Sequence, residues 1–313
     1  MENRQAELVC LGELLIDFTP AGTSPGGMAL YERNPGGAPA NVAVAAARLG
    51  LSAAFVGKVG ADLHGRFLRD VLEREGVDCQ GLRLDPESPT TLAFVALLPG
   101  GERDFAFHRK GCGDTRLRPE ELPEELIRGA KALHIGTLSL TDEPACAATL
   151  RALELARAAG VAVSCDVNYR APLWAAEGEF RAACAEVLPG VDWLKVSEEE
   201  AAILTGETDP AKAGEILRER YALSHLAVTR GEKGAILDGT ALPAFPARAV
   251  DATGAGDSFW GAYLYALLRG LPEPGRFACA AAACCVEKRG AIPAMPDRAA
   301  AEARMCGAEG SGE

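Results

Sequence analysis

The stretch Asp251-Ala252-Thr253-Gly254-Ala255-Gly256-Asp257 decides the reading of this chain, because it places a glycine-bearing turn and a carboxylate at the opening of an apolar helix. Residues 258–268 carry Phe259, Trp260, Tyr263, Leu264, Leu267 and Leu268 at helical spacing. Such a turn exposes backbone N–H groups that have no intrahelical partner. Those donors and the positive helix end bind phosphate, and the glycines let it approach without a Cβ in the way. A carboxylate beside that anion could take the proton from an attacking hydroxyl, as phosphoryl transfer requires. On the local pattern alone, a plain helix cap by Asp257 or Thr253 stays open as the competing reading.

Outward from that turn, short apolar runs alternate with helical stretches. Residues 8–16 read as a buried strand, 39–49 as an alanine-rich helix stopped by Gly50, 53–59 as a strand and 63–75 as an amphipathic helix followed by Gly76. Further strands are expected at 132–140, 161–167, 193–196 and 225–229, with helices that include 143–159 and 198–204. This rhythm predicts an α/β fold with a mainly parallel sheet covered by helices on both faces. One region departs from it: 90–98 and 103–109 are extended runs joined by Pro99-Gly100-Gly101-Glu102, a hairpin signature. Together with the Gly/Pro-rich segment 20–37, they are expected to form a small β lid, from about 17–37 and 88–112. The lid would belong to a single domain spanning 1–306, with 307–313 as a frayed tail.

Bulk properties narrow the partners. A net charge of −12 repels nucleic acid and anionic membranes, so neither is expected as a partner. No long uncharged apolar run is present, and residues 1–7 lack the features of a secretory signal. The ten cysteines form neither a CxxC pair nor a Cys/His cluster at zinc spacing, which points to a reducing, cytoplasmic compartment. The sequence holds no G-x-x-x-x-G-K-[ST] loop and no G-x-G-x-x-G after the first strand, so Walker-type NTPases and ordinary dinucleotide dehydrogenases lose ground.

Gly12-Glu13-Leu14-Leu15-Ile16-Asp17 and Gly36-Gly37-Ala38-Pro39-Ala40-Asn41-Val42-Ala43 stand near the start, far from Asp251–Asp257 and its continuation Ser258-Phe259-Trp260-Gly261-Ala262. With these two signatures in order, from about Leu8 to about Pro296, the sequence resembles the ribokinase-like (PfkB) sugar kinases, and among them the fructokinases most. The resemblance implies a three-layer α/β/α sandwich and an ATP-dependent kinase. Asp257 would be the base, while the N–H groups of Gly254, Ala255 and Gly256 would stabilise the transferring phosphoryl. Asp17, Gly36, Gly37 and Asn41 would hold sugar hydroxyls, Arg109 would point at the substrate from the lid, and Asn168 and Arg170 of Asp166-Val167-Asn168-Tyr169-Arg170 would contact substrate or phosphate. The nucleotide would lie along Thr229, Gly231 and Gly234, near Lys195, Ser197 and Glu200, with Cys279 on the adenine side. Ser197 departs from the ribokinase pattern, which has asparagine there. Mg2+ is implied by the chemistry of ATP. A monovalent cation such as K+ is implied at Asp251, Thr253, Cys285, Lys288 and Gly290, mainly through backbone carbonyls. Family members often dimerise through the lid, and the extended runs offer edges for a homodimer.

The substrate rests on finer detail. Gly136-Thr137-Leu138 stands where ribokinases carry a ribose-binding glutamate, which argues against ribose. Gly290–Pro296 and Ala171-Pro172-Leu173-Trp174 look like fructokinase segments, and Gly113-Asp114 places an acid near the lid. Arg109 and Arg170 also resemble 2-keto-3-deoxygluconate kinases and could grip a carboxylate. Fructose is the expected substrate, with a keto-deoxy sugar acid or another small sugar as the alternative. A non-catalytic sugar-binding regulator is disfavoured by the retained Asp257 turn.

Overall fold

The fold is that of a computed structural model, which describes residues 5–97 and 103–307. Its strands are β1 (Leu8–Leu11), β2 (Leu15–Thr23), β3 (Ala29–Gly36), β4 (Ala53–Gly60), β5 (Asp78–Asp85), β6 (Leu92–Leu97) and β7 (Arg103–His108) in the first part of the chain. They continue as β8 (Ala132–Gly136), β9 (Ala162–Asp166), β10 (Trp193–Ser197), β11 (His225–Thr229), β12 (Ala235–Leu237) and β13 (Thr240–Leu242). Among the described residues the main sheet runs β13-β12-β11-β10-β9-β8-β1-β4-β5, parallel except where β12 pairs with β11 and β13. Strand order reverses beside β1, whose neighbours are β4 and β8. In open α/β sheets such a reversal leaves a crevice outside the carboxyl ends of the strands.

Both faces of the sheet are covered. Along β1, Leu8 and Cys10 join one buried cluster, while Val9 and Leu11 join the other, as the two-residue period of a strand requires. The first cluster packs under the helices Ala38–Leu49 and Ala255–Arg269, and the second under Ala145–Ala158, Glu177–Val187 and Pro210–Tyr221. The expected three layers are therefore present. Small residues bring the two helices of the first face together: a Cβ on Gly261 would lie 2.6 Å from the Ala45 Cβ. That close approach matters for function, because Asn41 and Asp257 lie near the starts of these two helices.

The lid is a separate four-stranded sheet in the order β3-β2-β6-β7. It closes around an aromatic cluster in which Phe18 stacks on Phe94 at 5.0 Å and His108 meets Phe94 edge-on. The expected hairpin is borne out by antiparallel pairing of β6 with β7, though its turn at 98–102 lies outside the described residues. The tail expected to fray from 307 lies outside them beyond Gly307, which closes the helix Arg298–Gly307.

Several expectations are corrected. Residues 8–16 form two strands, since the chain leaves the main sheet after Leu11 and enters the lid at Leu15. Gly12 marks the exit, where Pro39 packs so closely that a Cβ would sit 2.6 Å from its Cγ. The strand expected over 132–140 ends at Gly136 and gives way to a turn at Leu138–Leu140. Strands β5, β12 and β13 were unforeseen, as were the helices Glu177–Val187 and Pro210–Tyr221. No helix among the described residues is long and apolar enough to cross a membrane.

Candidate active site

The Asp251 turn is folded by its own first side chain. Asp251 Oδ1 accepts from the Thr253 N–H at 2.9 Å and from the Thr253 hydroxyl at 2.7 Å, while Oδ2 accepts from the Gly290 N–H at 3.0 Å. Gly254 then takes φ 77, and a Cβ there would lie 2.7 Å from that of Ala291, so both conformation and space demand glycine. The 15-residue helix Ala255–Arg269 starts without a side-chain cap, which leaves its end available to an anion. One expected donor drops out. The Ala255 N–H is already bonded to the Ala252 carbonyl at 3.2 Å, because it closes the turn.

Asp257 sits in the first turn of that helix, and Asn41 Nδ2 donates to its Oδ2 at 2.8 Å. Burial pushes the Asp257 carboxyl up to about 6, with the nearby Asp166 charge adding to the rise and Lys195, Asn41 and Arg170 opposing it. Across the cavity, burial likewise raises Asp17 to about 6; Arg170 opposes the rise and Asp257 adds to it. The two glycines of the N-terminal signature make room for these acids. A Cβ on Gly36 would fall 2.1 Å from Asp17 Oδ2, and one on Gly37 (φ 110) would fall 2.4 Å from the Glu13 carbonyl. Asn41 keeps its Oδ1 buried and, among the described residues, without a hydrogen-bond partner.

At the ends of β9 and β10, Lys195 stands opposite Asp166 in register and donates to both carboxylate oxygens, at 2.8 and 2.7 Å. The ammonium also lies against the anion turn, since a Cβ on Gly256 would be 3.2 Å from it. Glu200 accepts from the Tyr169 and Ser197 N–H groups, both at 2.7 Å, and its own N–H donates to Ser197 Oγ. Ser197 and Glu200 thus form a capping box that starts the helix Glu198–Thr205 and ties it to the turn after β9. In that turn Asn168 adopts φ 45, an uncommon conformation for a non-glycine residue.

These residues converge on one cavity of about 810 Å³. Of those expected, Asp17, Gly37, Asn41, Asn168, Arg170, Lys195, Ser197, Glu200, Thr253, Gly254, Gly256 and Asp257 line it; Gly36 lies behind Asp17. Sequence reasoning missed Glu13, Phe107 and Leu138, which also line the wall, and Asp166, which bonds Lys195 of that wall. Alternation along β7 toward Arg109 was the available signal for Phe107; nothing local marked Glu13.

Arg109 is a correction. It does not line the cavity, and all three of its guanidinium nitrogens are engaged: Nε with Asp114 at 2.6 Å, Nη1 with Thr141 at 2.5 Å and Asp142 at 3.2 Å, and Nη2 with the Leu138 carbonyl at 2.8 Å. The side chain is 5% exposed. The physical reason is Asp114, a buried carboxylate five residues on, which also accepts from the Thr91 hydroxyl. Arg109 therefore fastens the exit of the lid to the main domain.

Of the residues expected along the nucleotide, Lys195, Ser197 and Glu200 line this cavity, whereas Thr229, Gly231, Gly234 and Cys279 fall outside it. Thr229 ends β11 directly beside Ser197, with its hydroxyl donating to the Val196 carbonyl at 3.3 Å. Gly231 (φ 56) and Gly234 (φ 85) shape the next turn, and a Cβ on Gly234 would collide with the Leu242 carbonyl at 2.1 Å. Cys279 is buried in the helix Pro274–Val286 as part of the core. In the loops implied for a monovalent cation, the Val250 and Asp251 N–H groups bond the Val286 carbonyl, the Lys288 N–H bonds that of Cys285, and the Cys285 thiol lies 3.9 Å from the Thr253 carbonyl. Asp251, Thr253, Cys285, Lys288 and Gly290 are thus drawn together around backbone groups. Among the described residues no cluster of three or more His, Cys, Asp or Glu side chains could hold a metal ion.

The model of the pfkB family carbohydrate kinases matches residues 5–298. Fructokinase-2 of Solanum lycopersicum is 41% identical over 305 residues, which cover 92% of this chain and 93% of that protein. A fructokinase of Vibrio cholerae O395, solved with fructose, ADP and a calcium ion, superposes with a TM-score of 0.87 at 32% identity over 96% of this chain and 99% of that one. A fructokinase of Xylella fastidiosa with bound ATP gives a TM-score of 0.85 at 31% identity over 96% and 98% of the two chains. With the ribokinase-like fold, the Asn41–Asp257 pair and the open helix start in one cavity, the chain belongs to the PfkB family of carbohydrate kinases, which are phosphotransferases.

Proposed function

We propose that this protein phosphorylates fructose to fructose 6-phosphate with ATP, and that Asp257 is the base. The observation that carries this reading is the Asn41–Asp257 contact at the open start of the helix Ala255–Arg269, facing Asp17 across the cavity. The sugar hydroxyl oxygen attacks the γ-phosphorus in line, its proton passes to an Asp257 oxygen, and the bond to the ADP oxygen breaks. Asn41 orients Asp257 through one oxygen and leaves the other toward the hydroxyl. The free N–H groups of the Gly254–Gly256 turn and the Lys195 ammonium meet the negative charge of the phosphoryl group. Asp17, Gly37 and Asn41 hold the remaining hydroxyls. Mg2+, when bound with ATP, neutralises phosphate charge, and Glu200 on its pinned turn faces that end.

A neutral sugar suits this cavity better than a sugar acid. Arg109 is neutralised by Asp114 and lies outside the wall, while Glu13, Asp17, Glu199, Glu200 and Asp257 place five acidic groups on it against Arg170 and Lys195. ADP release from MgATP across fructose, ribose, glucose and 2-keto-3-deoxygluconate tests the reading: fructose should be preferred. Preference for the keto-deoxy acid would overturn the substrate and leave the kinase standing.

Residues through 306 act as one kinase domain in the cytoplasm, with a sugar as the small-molecule partner. Thr229, Gly231, Gly234 and Cys279 flank ATP, and K+ binds the carbonyls of the Asp251 and Gly290 loops. A homodimer forms through the lid, where Met28, Leu30 and Tyr31 are exposed. Sedimentation of wild type against a Tyr31→Glu variant tests the dimer.

A further inference from the structure

The least explained feature beside the cavity is the Asp166–Lys195 pair. Both side chains are buried, at 1% and 9% exposure, and Asp166 takes two of the three ammonium donors. Among the described residues no further partner is bonded to the third, and the ammonium is held against Gly256 in the anion turn. A buried lysine normally loses its proton readily, because burial disfavours the charged form. Here burial is outweighed by the charges of Asp166, Glu200 and Asp257, so the Lys195 pKa is raised. The same Asp166 charge is the largest electrostatic contribution to the raised Asp257 carboxyl. One carboxylate therefore faces both groups that phosphoryl transfer uses.

We propose that Asp166 is a positioning residue that sets the charge of the phosphate end, holding Lys195 protonated and aimed at the anion turn while making Asp257 a stronger base. The alternative is that the pair merely fastens β9 to β10. A buried ion pair contributes little net stability over an apolar replacement, so fastening alone is a weak reason to bury two charges at this spot. The other charged and titratable groups are accounted for. Lys195 is faced by Asp166, Glu200 and Asp257, with His134 below it kept neutral by burial, which lowers its pKa to about 4. Asp257 is faced by Asp166, Lys195 and Arg170, by Asp17 across the cavity and by the Cys285 thiol behind. Glu200 is fixed by two backbone N–H groups. Asp166 bonds Lys195 directly and acts on Asp257 through its charge, while standing back from the cavity lining.

This proposal rests on the kinase reading, and the experiment separates the two. Rates of ADP formation with saturating fructose are measured from about pH 5 to about pH 9 for wild type, Asp166→Asn and Lys195→Met, alongside equilibrium binding of ATP without sugar. In Asp166→Asn the acid limb, set by Asp257, should move down by roughly one pH unit. The basic limb should move down as well, because Lys195 loses its counter-ion. ATP should bind roughly tenfold or more weakly. In Lys195→Met the acid limb should instead move up, since the Asp166 charge is left uncompensated beside Asp257. Limbs that stay in place in both variants, whatever the loss of rate or stability, would overturn the proposal. Should Asp166→Asn fail to fold, the direction of the Lys195→Met acid limb decides. A wild-type protein that transfers phosphate to no sugar defeats the kinase reading only; ATP affinity equal in wild type and Asp166→Asn defeats this one.

Discussion

Replacing Arg109 by methionine separates a fastener of the lid from a sugar-binding residue. The side chain is 5% exposed and its guanidinium bonds Asp114, Thr141, Asp142 and the Leu138 carbonyl. Methionine keeps the stem and removes every one of these bonds. Asp114, 1% exposed at its side chain, then keeps the Thr91 hydroxyl as a donor and loses its counter-ion. Removing one member of a buried pair costs about 3–5 kcal/mol. The contact with the exposed Asp142 adds little, because solvent screens it. Urea unfolding of Arg109→Met should therefore show a loss of about 3–5 kcal/mol. The double variant Arg109→Met/Asp114→Asn should recover part of it, since the stranded charge is gone. Sugar affinity in the folded fraction should change modestly, through Phe107 and Leu138 on the cavity wall. A stability loss under about 1 kcal/mol, with a hundredfold rise in the fructose KM, would refute the reasoning and make Arg109 a direct sugar contact.

Other predictions follow from the site acids and glycines. Asp257 must be ionised to accept a proton, and its carboxyl is raised to about 6, so kcat/KM should fall as pH drops through about 6; a profile flat to pH 5 would contradict this. The raised carboxyl also means that the folded state binds more protons than the unfolded chain between the ordinary aspartate range and about 6. Stability attributable to Asp257 is thus greatest at low pH and is lost as pH rises through that window. Asp257→Asn should accordingly raise stability at pH 7 by roughly 1–3 kcal/mol, read as a higher urea midpoint, with little gain at pH 4. Gly254→Ala imposes a side chain at φ 77 and 2.7 Å from the Ala291 Cβ, so it should cost about 1–3 kcal/mol and weaken ATP binding, both measurable by calorimetry.

Legibility in the sequence followed the range of the interaction. The Asp251–Asp257 turn and the Gly36-Gly37 pair were readable because their chemistry is local. Backbone geometry demands glycine there, as at Gly37 (φ 110) and Gly254 (φ 77), and the neighbours that crowd them, the Glu13 carbonyl and Ala291, come from distant parts of the chain. Helices with clear apolar faces, such as Leu63–Arg74, were found within a residue. Arg109 was misread because its decisive partner, Asp114, meets it only after the chain turns at Cys112, and Leu138 arrives in the turn that follows β8. Glu13 sits inside a run that reads as one apolar strand, and the break between β1 and β2 that brings it to the cavity depends on Pro39 packing over Gly12. Asp166 stood in plain view within Asp166-Val167-Asn168, but its role depends on β10 placing Lys195 directly opposite.

The account stands most directly on Asp257. The decisive measurement compares wild type with Asp257→Asn for MgATP-dependent ADP release with fructose, alongside equilibrium fructose binding. Asparagine preserves shape and the cavity wall but takes no proton, so kcat should fall by roughly a hundredfold to ten-thousandfold while fructose affinity stays near the wild-type value. An Asp257→Asn enzyme that turns over fructose near the wild-type rate would contradict it.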